Sequence, residues 1–365
     1  MRVLHVIPTL VVGGAERMVA RLAGHLHRWG HTVNVAVMYD SQRTWIEAEL
    51  ISAGVPLHFL GKRPGLDLSM IPRLARVIAG FRPDVLHTHM YVLKYCLPAL
   101  VIGGRCRIVH TLHSVAGAEV EFASRILQQF AFRAGVVPVA IGGGVAESMR
   151  STYRLDPEHV IPNGIPLSDC APPPGAREQI RSCLGIPADA PTFACIAQFV
   201  PAKNHEGLIS AFTSQRLRSR NAHLLLAGDG GRRRQLERQA REAGAADRIH
   251  FLGVRSDVPA VLAAADAFVL ASRREGNPLS VMEAMAAGKP VLATAVGCIP
   301  ELVPEDAGRL VAPGETGALE AVMYEIAGDL RLARALGGVA ARVARERFDD
   351  TTMARAYERL YGAVI

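Results

Sequence analysis

The chain has 365 residues, too many for one ordinary hydrophobic core and a suitable number for two domains. Hydrophobic residues make up 50% and charged residues 21%, a composition that excludes a disordered chain. No uncharged stretch reaches the roughly 20 residues that span a bilayer, and the short N-terminal apolar run lacks a signal-peptide cleavage site. We therefore expect a cytoplasmic protein, at most peripheral to the inner face of a membrane.

The positive charge is concentrated in the first half of the chain. Residues 1–165 carry 17 basic and 11 acidic side chains, a net charge of +6, whereas the remainder carries 24 and 23, a net charge of +1. A basic half is typical of proteins that bind nucleic acid, an anionic membrane or a phosphorylated substrate. Aromatic residues make up only 5% and are not interleaved with arginines, so nucleic acid is not expected as a partner. Peripheral contact with an anionic membrane and a merely solvated surface both explain the charge.

Short apolar strands alternate with amphipathic helices along the first part of the chain. The pattern begins with a strand at Arg2–Ile7 and a helix at Ala15–Trp29, which ends at Gly30. Further strands are predicted at TVNVAVM, PLHFL, DVLH, RIVHTL and VVPVAI, and most are separated from the next by a helical segment. Continuous β-branched strands that alternate with helices indicate a parallel sheet covered on both faces.

A turn-rich and proline-rich segment at residues 162–191 interrupts this alternation and has the composition of a linker. A second series of strands follows at TFACIA, AHLLLAG, RIHFLG, AFVLAS and PVLAT, and closing helices are predicted at Leu330–Arg347 and Thr351–Tyr361. We predict an α/β protein of two Rossmann-like, doubly wound domains, residues 1–165 and 166–347, that face each other across a cleft. Residues 348–365 are predicted to form a helix that packs back toward the first domain.

The segment from Glu275 to Glu283 (EGNPLSVME) is the strongest candidate for a functional site. A strand ends at Ala271, a loop carries Glu275 and Gly276, and Pro278 suits the first turn of a helix. Amides at that helix start would bind a phosphate, because ligands lie beyond the carboxyl ends of parallel strands. Glu283 is placed to accept hydrogen bonds from two ribose hydroxyls. A capped helix with two surface glutamates is the alternative.

Two other loops follow strands in the same way. Lys203, one of only four lysines, follows TFACIA, where its ammonium would contact a phosphate; a solvated loop lysine is the alternative. Gly13 and Gly14 follow the first strand, and adjacent glycines let the backbone approach a ligand closely. The pattern is not GxGxxG, so it is no dinucleotide fingerprint, and a tight turn without a ligand explains it equally well.

Histidines cluster at two strand ends, His87 and His89 in LHTHM, and His110 and His113 in VHTLHS. These pairs raise the question of a metal site. No neighbouring HExxH or DxD pattern supplies acidic ligands, and the six cysteines lack CxxC spacing, so we expect no metal. His113, just past its strand, is expected to face the cleft, whereas His110 is expected in the core.

Together these segments resemble the retaining GT-B glycosyltransferases of family 4, nearly from end to end. The motifs that carry the resemblance are GGAE (13–16), HTH (87–89), HTLHS (110–114), IPNG (161–164), KNHEGLISAF (203–212), LLLAGDG (224–230), FLGVRSDV (251–258) and EGNPLSVMEAMAAGKPV (275–291). The resemblance implies that the first domain binds an acceptor and the second binds a nucleotide-sugar donor.

The resemblance also implies roles for individual residues. Lys203 would hold the donor diphosphate, Glu283 the ribose and Glu275 the transferred sugar. Arg255 would flank the base, and His113 would lie against the sugar from the first domain. The implied catalytic residues are therefore Glu275, His113 and Lys203. The implied donor-binding set is Gly13, Gly14, Gln198, Lys203, Arg255, Arg274, Glu275, Gly276, Asn277, Pro278, Leu279 and Glu283.

The chain departs from the family pattern in three places. Gln198 stands where the family has an arginine that partners the lysine, and either Arg274 or Arg273 could compensate, with Arg274 slightly favoured. The alternative is that both arginines are solvated and Gln198 donates only a neutral amide, so that the donor binds weakly. Pro166 replaces the usual Asp after Asn-Gly-Ile, and the Ser expected near Gly142 is absent. The first departure affects donor phosphate affinity, and the others affect the hinge and an acceptor loop.

The implied activity is transfer of a sugar, with retention and without a metal or other cofactor, from a nucleoside-diphosphate sugar to a hydroxyl acceptor. A UDP-sugar is favoured over GDP-mannose, and the acceptor is a small molecule, a glycan or a lipid-linked molecule. The alternatives are a nucleotide-sugar epimerase or phosphorylase-type enzyme on the same scaffold, and a non-enzymatic binder of anionic surfaces. The fold alone does not decide between these functions. The two glutamates that lie eight positions apart after a strand favour the transferase.

Overall fold

The computed structural model of the protein describes residues 1–119 and 121–365. These residues form two compact units, one of Met1–Gly164 together with Asp350–Ile365, the other of Ile165–Asp349. The boundaries predicted at 165/166 and 347/348 fall at 164/165 and 349/350. Among the described residues, no helix is both long and apolar enough to cross a bilayer.

The described part of the first unit contains a parallel sheet in the strand order β3-β2-β1-β4-β5-β6-β7. Its strands are β1 (Arg2–Ile7), β2 (Thr32–Val37), β3 (Leu57–Phe59), β4 (Val85–His89), β5 (Arg107–Leu112), β6 (Val137–Ala140) and β7 (His159–Val160). Its helices are α1 (Gly14–Arg28), α2 (Trp45–Ser52), α3 (Met70–Phe81), α4 (Leu93–Gly103), α5 (Ala116–Glu119), α6 (Phe122–Arg133), α7 (Gly143–Tyr153) and, at the end of the chain, α17 (Asp350–Val364).

The second unit contains a parallel sheet in the order β10-β9-β8-β11-β12-β13. Its strands are β8 (Thr192–Ile196), β9 (His223–Ala227), β10 (Ile249–Gly253), β11 (Ala267–Leu270), β12 (Val291–Thr294) and β13 (Gly308–Val311). Its helices are α8 (Ala176–Leu184), α9 (His205–Phe212), α10 (Gln215–Ser219), α11 (Arg233–Glu242), α12 (Val258–Ala264), α13 (Leu279–Ala286), α14 (Ile299–Leu302), α15 (Thr316–Gly328) and α16 (Leu330–Arg347). The predicted pair of doubly wound α/β domains is confirmed.

The strands of both sheets are apolar along most of their length because helices cover both faces. In the first unit β1 lies between β2 and β4, where Val3 pairs with Val33 and Val85. The second unit has the same arrangement, with β8 between β9 and β11. Since ligands bind beyond the carboxyl ends of such strands, the loops after β1, β8 and β11 are the positions to search for a site.

The prediction of a linker over residues 162–191 is wrong in its central part. Residues 176–184 form α8, which packs against α12 in the second unit. Gly175 and Gly185 bound this helix at positive φ angles of 74° and 66°, a conformation that glycine adopts without strain. Arg181 of α8 is buried and bonds to the carboxylate of Asp266 at 2.9 Å. The sequence obscured this helix because most of its nine residues are polar.

Helix α17 contributes hydroxyl groups to a buried histidine network in the first unit. The Nδ1 atom of His87 lies 2.6 Å from the Tyr361 hydroxyl, and its Nε2 atom lies 2.8 Å from the hydroxyl of Thr111. The same Thr111 hydroxyl lies 3.0 Å from that of Tyr357. His110, as predicted, is a core residue, and it bonds to Thr88. These contacts attach the last helix of the chain to β4 and β5.

The buried histidines make the first unit sensitive to acid. Burial lowers the pKa of His5, His110 and His113 to about 3, and it lowers the pKa of His87 and His89 well below the usual range. Between about pH 6.5 and pH 3 the unfolded chain therefore binds more protons than the folded one, and stability is lost as the pH falls through that window. His5 and His110, whose pKa values are about 3, each contribute about 2 kcal/mol of this loss by pH 5.

We expect the first unit to unfold near pH 5. Both tryptophans, Trp29 and Trp45, lie in this unit, so their fluorescence follows it alone while circular dichroism follows the whole chain. The fluorescence transition should begin at a pH at or above that of the circular dichroism change. Unaltered tryptophan fluorescence down to pH 4 would contradict the assignment of neutral buried histidines.

Candidate active site

The loops after β8 and β11 bring together two of the predicted site residues. Lys203, in a short 3-10 turn at Pro201–Lys203, places its Nζ atom 2.6 Å and 2.7 Å from the two carboxylate oxygens of Glu275. The two residues lie 72 positions apart in the chain and meet because β8 and β11 are neighbours in the sheet. The pair forms a charge-assisted contact at the carboxyl end of the second sheet.

The carboxylate of Glu275 is fixed by residues that the sequence analysis did not single out. The Ser272 hydroxyl donates to Oε1 of Glu275 at 2.6 Å, and the Thr294 hydroxyl donates to the carbonyl of Ser272 at 2.5 Å. Only 5% of the Glu275 side chain is exposed. Gly297, at φ +58°, passes so close that a Cβ there would lie 2.1 Å from the Glu275 carbonyl oxygen. These contacts restrict the carboxylate and the backbone of Glu275 to one orientation.

The segment after Glu275 forms the start of α13, as predicted. Pro278 is the N-cap of the helix, and the carbonyl of Gly276 accepts a bond from the Cys298 amide at 2.9 Å. The first amides of an α-helix have no partner within the helix, and the helix dipole favours an anion at that end. Asn277 and Glu283 are both buried, and Glu283 lies at the fifth position of the helix.

The other predicted donor-binding residues of the second unit lie in its loops. Gln198 is exposed after β8. The guanidinium of Arg255 pairs with both carboxylate oxygens of Asp257, at 2.7 Å and 2.6 Å, in the loop after β10. Arg273 donates its amide to the Ala202 carbonyl at 2.8 Å, and its guanidinium lies 3.3 Å from Oδ1 of Asn204.

Arg273 and Arg274 thus differ in their surroundings. The contacts of Arg273 attach the Glu275 loop to the turn that carries Lys203. Arg274 is exposed and has no side-chain partner among the described residues. Which of the two arginines compensates for Gln198 therefore stays a prediction.

Gly13, Gly14 and His113 lie in the first unit. Gly13 is the N-cap of α1, and a Cβ there would lie 2.4 Å from a carboxylate oxygen of Glu16, whereas the space beside Gly14 is open. Glu16 is buried, which raises its pKa to about 7. The Nε2 atom of His113 lies 3.0 Å from Nδ1 of His89, and with its lowered pKa the His113 ring is uncharged at neutral pH. Glu16 was not among the predicted site residues, although its place directly after the two glycines in the GGAE motif could have indicated it.

His5, His87 and His89 form the one group in the described chain with three metal-type ligand atoms within 4.8 Å of one another. Most of their ring nitrogens are used in hydrogen bonds: Nδ1 of His5 lies 3.2 Å from Nε2 of His89, and both nitrogens of His87 contact hydroxyl groups. Nε2 of His5 is buried and has no hydrogen-bond partner among the described residues. Nothing in the arrangement distinguishes a metal site from a buried hydrogen-bond network. The expected absence of a metal stays a prediction.

Comparisons with known proteins agree on one class. Residues 176–337 match the family of glycosyl transferases group 1, and residues 12–169 match Glycosyltransferase Family 4. N-acetyl-alpha-D-glucosaminyl L-malate synthase of Bacillus anthracis is 25% identical over 97% of this chain and 95% of its own length. The lipopolysaccharide core biosynthesis glycosyltransferase LpsD of Rhizobium meliloti is 28% identical over 99% and 98%. The structure of Anabaena Alr3699/HepE with UDP and glucose covers all of both chains, with a TM-score of 0.86 and 22% identity.

Two Rossmann-like domains of this kind, with matches to both family models, define a glycosyltransferase of the GT-B fold. The chain belongs to the group 1, family 4 glycosyltransferases. It is an enzyme that transfers a glycosyl group, which decides against a non-enzymatic binder of anionic surfaces.

The ion pair between Lys203 and Glu275 predicts a measurable stability effect. Lys203→Met leaves a buried carboxylate without its cation and should lower the free energy of unfolding by about 2 kcal/mol, less than for a fully buried pair because Lys203 is partly exposed. Adding Glu275→Gln should restore part of the loss. Urea unfolding measures both effects.

Arg342→Met is the matched control for this experiment. Arg342 pairs with Glu346 on the surface of the same unit, and its loss should change the free energy of unfolding by less than about 0.5 kcal/mol. If Lys203→Met and Arg342→Met lowered the free energy of unfolding equally, the buried pair would have no special role in stability.

Proposed function

We propose that the enzyme transfers a hexose, with retention, from a nucleoside-diphosphate sugar to a hydroxyl acceptor, with a UDP-sugar favoured over GDP-mannose. The observation that carries the proposal is the Lys203–Glu275 pair beside the start of α13, at the carboxyl ends of adjacent strands. A cation and helix-start amides at one place suit a diphosphate. Buried Glu283 on the same helix suits the ribose hydroxyls.

The proposed reaction breaks the bond between the anomeric carbon and the β-phosphate oxygen and forms a bond from that carbon to the acceptor oxygen. The O–H bond of the acceptor breaks in the same reaction, and its proton passes to the departing diphosphate. Negative charge builds on the departing diphosphate, where Lys203 and the amides of α13 stabilise it. Glu275 holds the Lys203 ammonium in place and contacts the transferred sugar. Retention rests on the family resemblance.

The names of related proteins support parts of this proposal. The Bacillus anthracis relative is named for a malate acceptor, the Rhizobium meliloti relative for lipopolysaccharide core synthesis, and the Anabaena structure contains UDP and glucose. The UDP in the Anabaena structure supports a UDP-sugar, whereas a Mycobacterium tuberculosis relative that is 32% identical over 43% of this chain is named a GDP-mannose-dependent mannosyltransferase, which supports the alternative donor. The names of the first two relatives support an acceptor that is a small molecule, a glycan or a lipid-linked glycan.

Variants of the two glutamates should separate nucleotide binding from transfer. Glu283→Ala should weaken binding of free UDP about tenfold or more, because a ribose contact acts equally in the ground and transition states. Glu275→Ala should lower kcat more than it raises the dissociation constant for UDP. Isothermal titration and steady-state kinetics measure the two effects. Unchanged UDP binding by Glu283→Ala would refute the ribose assignment.

We also propose that catalysis needs no divalent metal. The support is that Lys203 and the α13 amides already place positive charge at the proposed diphosphate site, and no DxD pattern occurs in the sequence. Activity in excess EDTA should equal activity with Mg²⁺ for the same donor and acceptor. A loss of more than about tenfold on chelation, reversed by added metal, would overturn this proposal.

A peripheral membrane contact is proposed for helix α6. Phe122, Ile126 and Phe130 lie one helical turn apart on this helix, and Phe122 and Phe130 are 70% and 64% exposed. Arg133 is exposed at the end of the helix, in the domain with the net positive charge. Aromatic side chains beside arginine suit the interface of an anionic bilayer.

Sedimentation with vesicles tests this contact. The protein should bind vesicles that contain phosphatidylglycerol, bind phosphatidylcholine vesicles weakly, and lose binding at about 1 M salt, where the Debye length is about 3 Å. Changing Phe122 and Phe130 to Ser should abolish binding. Ile51→Ser, an equally apolar and exposed site on α2, should leave it unchanged. Similar weak binding to both lipids would leave only a solvated surface.

A further inference from the structure

Two of the four lysines lie around the same tyrosines at the carboxyl end of the first sheet. Lys62 follows β3, and Lys94 lies in the first turn of α4, just after β4. Both ammonium groups lie near the ring of Tyr95, at 5.7 Å for Lys62 and 5.5 Å for Lys94. Strand order places this lysine cluster beside the glycine turn after β1, at the edge where parallel sheets bind ligands.

Tyrosine hydroxyls surround the lysine cluster. The Nζ atom of Lys62 donates to the hydroxyl of Tyr39 at 3.2 Å, and Lys94 lies 5.5 Å from the ring of Tyr91. The hydrogen bond from Lys62, with a smaller effect of Lys94, lowers the pKa of Tyr39. Tyr39 and Tyr91 are half-buried, so solvent reaches the cluster.

No carboxylate in the described part of the chain balances these two charges. The remaining hydrogen bonds of Lys62 go to the carbonyls of Arg63, at 2.8 Å, and Gly65, at 2.5 Å. Nearby Asp67 is occupied by the Arg63 amide and by Ser69. Neither lysine forms an ion pair with a described residue.

The buried charge of Lys62 makes this arrangement unfavourable in free energy. Only 7% of Lys62 is exposed, and burying a cation without a counter-charge is unfavourable even when its hydrogen bonds are satisfied. Since Lys62 already donates its three ammonium hydrogens to Tyr39, Arg63 and Gly65, a bound anion would offset its positive charge without a hydrogen bond to it. Half-buried Lys94 and the tyrosine hydroxyls would donate the hydrogen bonds to the anion. The backbone supports a ligand site as well, because Met90, between β4 and Tyr91, has a φ of +59°, a strained conformation for this residue type.

We propose that Lys62, Lys94, Tyr39 and Tyr91 form an anion-binding subsite that takes an oxyanion group of the acceptor, a phosphate or a carboxylate. The subsite lies in the unit that is expected to bind the acceptor, and its assignment to the acceptor rests on the proposed function. Binding of an anion there is independent of that function, so the two can be tested separately. The acceptor class is accordingly a hydroxyl compound that carries a negative charge.

Nuclear magnetic resonance of the full chain, labelled with ¹³C at the lysine ε-carbons, tests the subsite directly because only four lysine signals exist. Inorganic phosphate and malate, titrated separately, should saturably shift the signals of Lys62 and Lys94, and the tighter of the two anions identifies the oxyanion group. Neutral glycerol should shift neither signal. UDP, at concentrations far below those of the small anions, should shift the signal of Lys203.

Variants complete the test. Lys94→Met, at a half-buried position that tolerates the change better than Lys62, should weaken anion binding at least about tenfold, and Lys94→Arg should retain most of it. Arg76→Met removes an exposed charge from α3 of the same unit and should leave anion binding unchanged. No saturable shift of Lys62 or Lys94 with either anion, or equal binding by Lys94→Met and Arg76→Met, would overturn the subsite. A missing Lys203 shift with UDP would instead count against the proposed donor site alone.

Discussion

The ion pair between Lys203 and Glu275 is the interaction on which the second unit's site depends. It joins the loops after two adjacent strands, and it places a cation and a buried carboxylate beside the start of α13. Neither charge would be stable there alone, since a buried carboxylate without a cation costs several kcal/mol. Ser272 adds a hydroxyl hydrogen bond to the same carboxylate, so the loop has one geometry before any donor arrives.

The first unit manages polar groups differently. Its core contains histidines that burial keeps neutral, hydrogen-bonded to one another and to hydroxyls of α17. A neutral His113 suits hydrogen bonding to a sugar better than charge stabilisation. Lys62 and Lys94, at the carboxyl end of the same sheet, are instead charged, and neither forms an ion pair with a carboxylate in the described chain. Neutral groups thus line one part of this edge and uncompensated cations another.

The departure at Gln198 also has a structural context. The missing arginine leaves Lys203 as the cation of the turn after β8, and the neighbouring loop supplies Arg273 and Arg274 within two residues of Glu275. The guanidinium of Arg273 donates to the side chain of Asn204, the residue after Lys203. A guanidinium is therefore already present where the Glu275 loop contacts the turn of Lys203. The positive charge at this site is therefore distributed between two loops rather than concentrated after one strand.

Much of the fold and part of the site could be predicted from the sequence, because apolar periodicity reports the burial of each element along its own length. The alternation of strands and helices, the start of α13, the turn that carries Lys203 and the core position of His110 all follow from local pattern. The polar helix α8 was not predicted, since its Arg181 is buried through bonds to Asp266, 85 positions away, and to backbone carbonyls that include Ala264. The pairing of Lys203 with Glu275, the contact of His87 with Tyr361 and the position of Lys62 and Lys94 around the same tyrosines were decided by the tertiary structure. Strand order and the return of the last helix set which distant side chains meet, and no local spacing records that order.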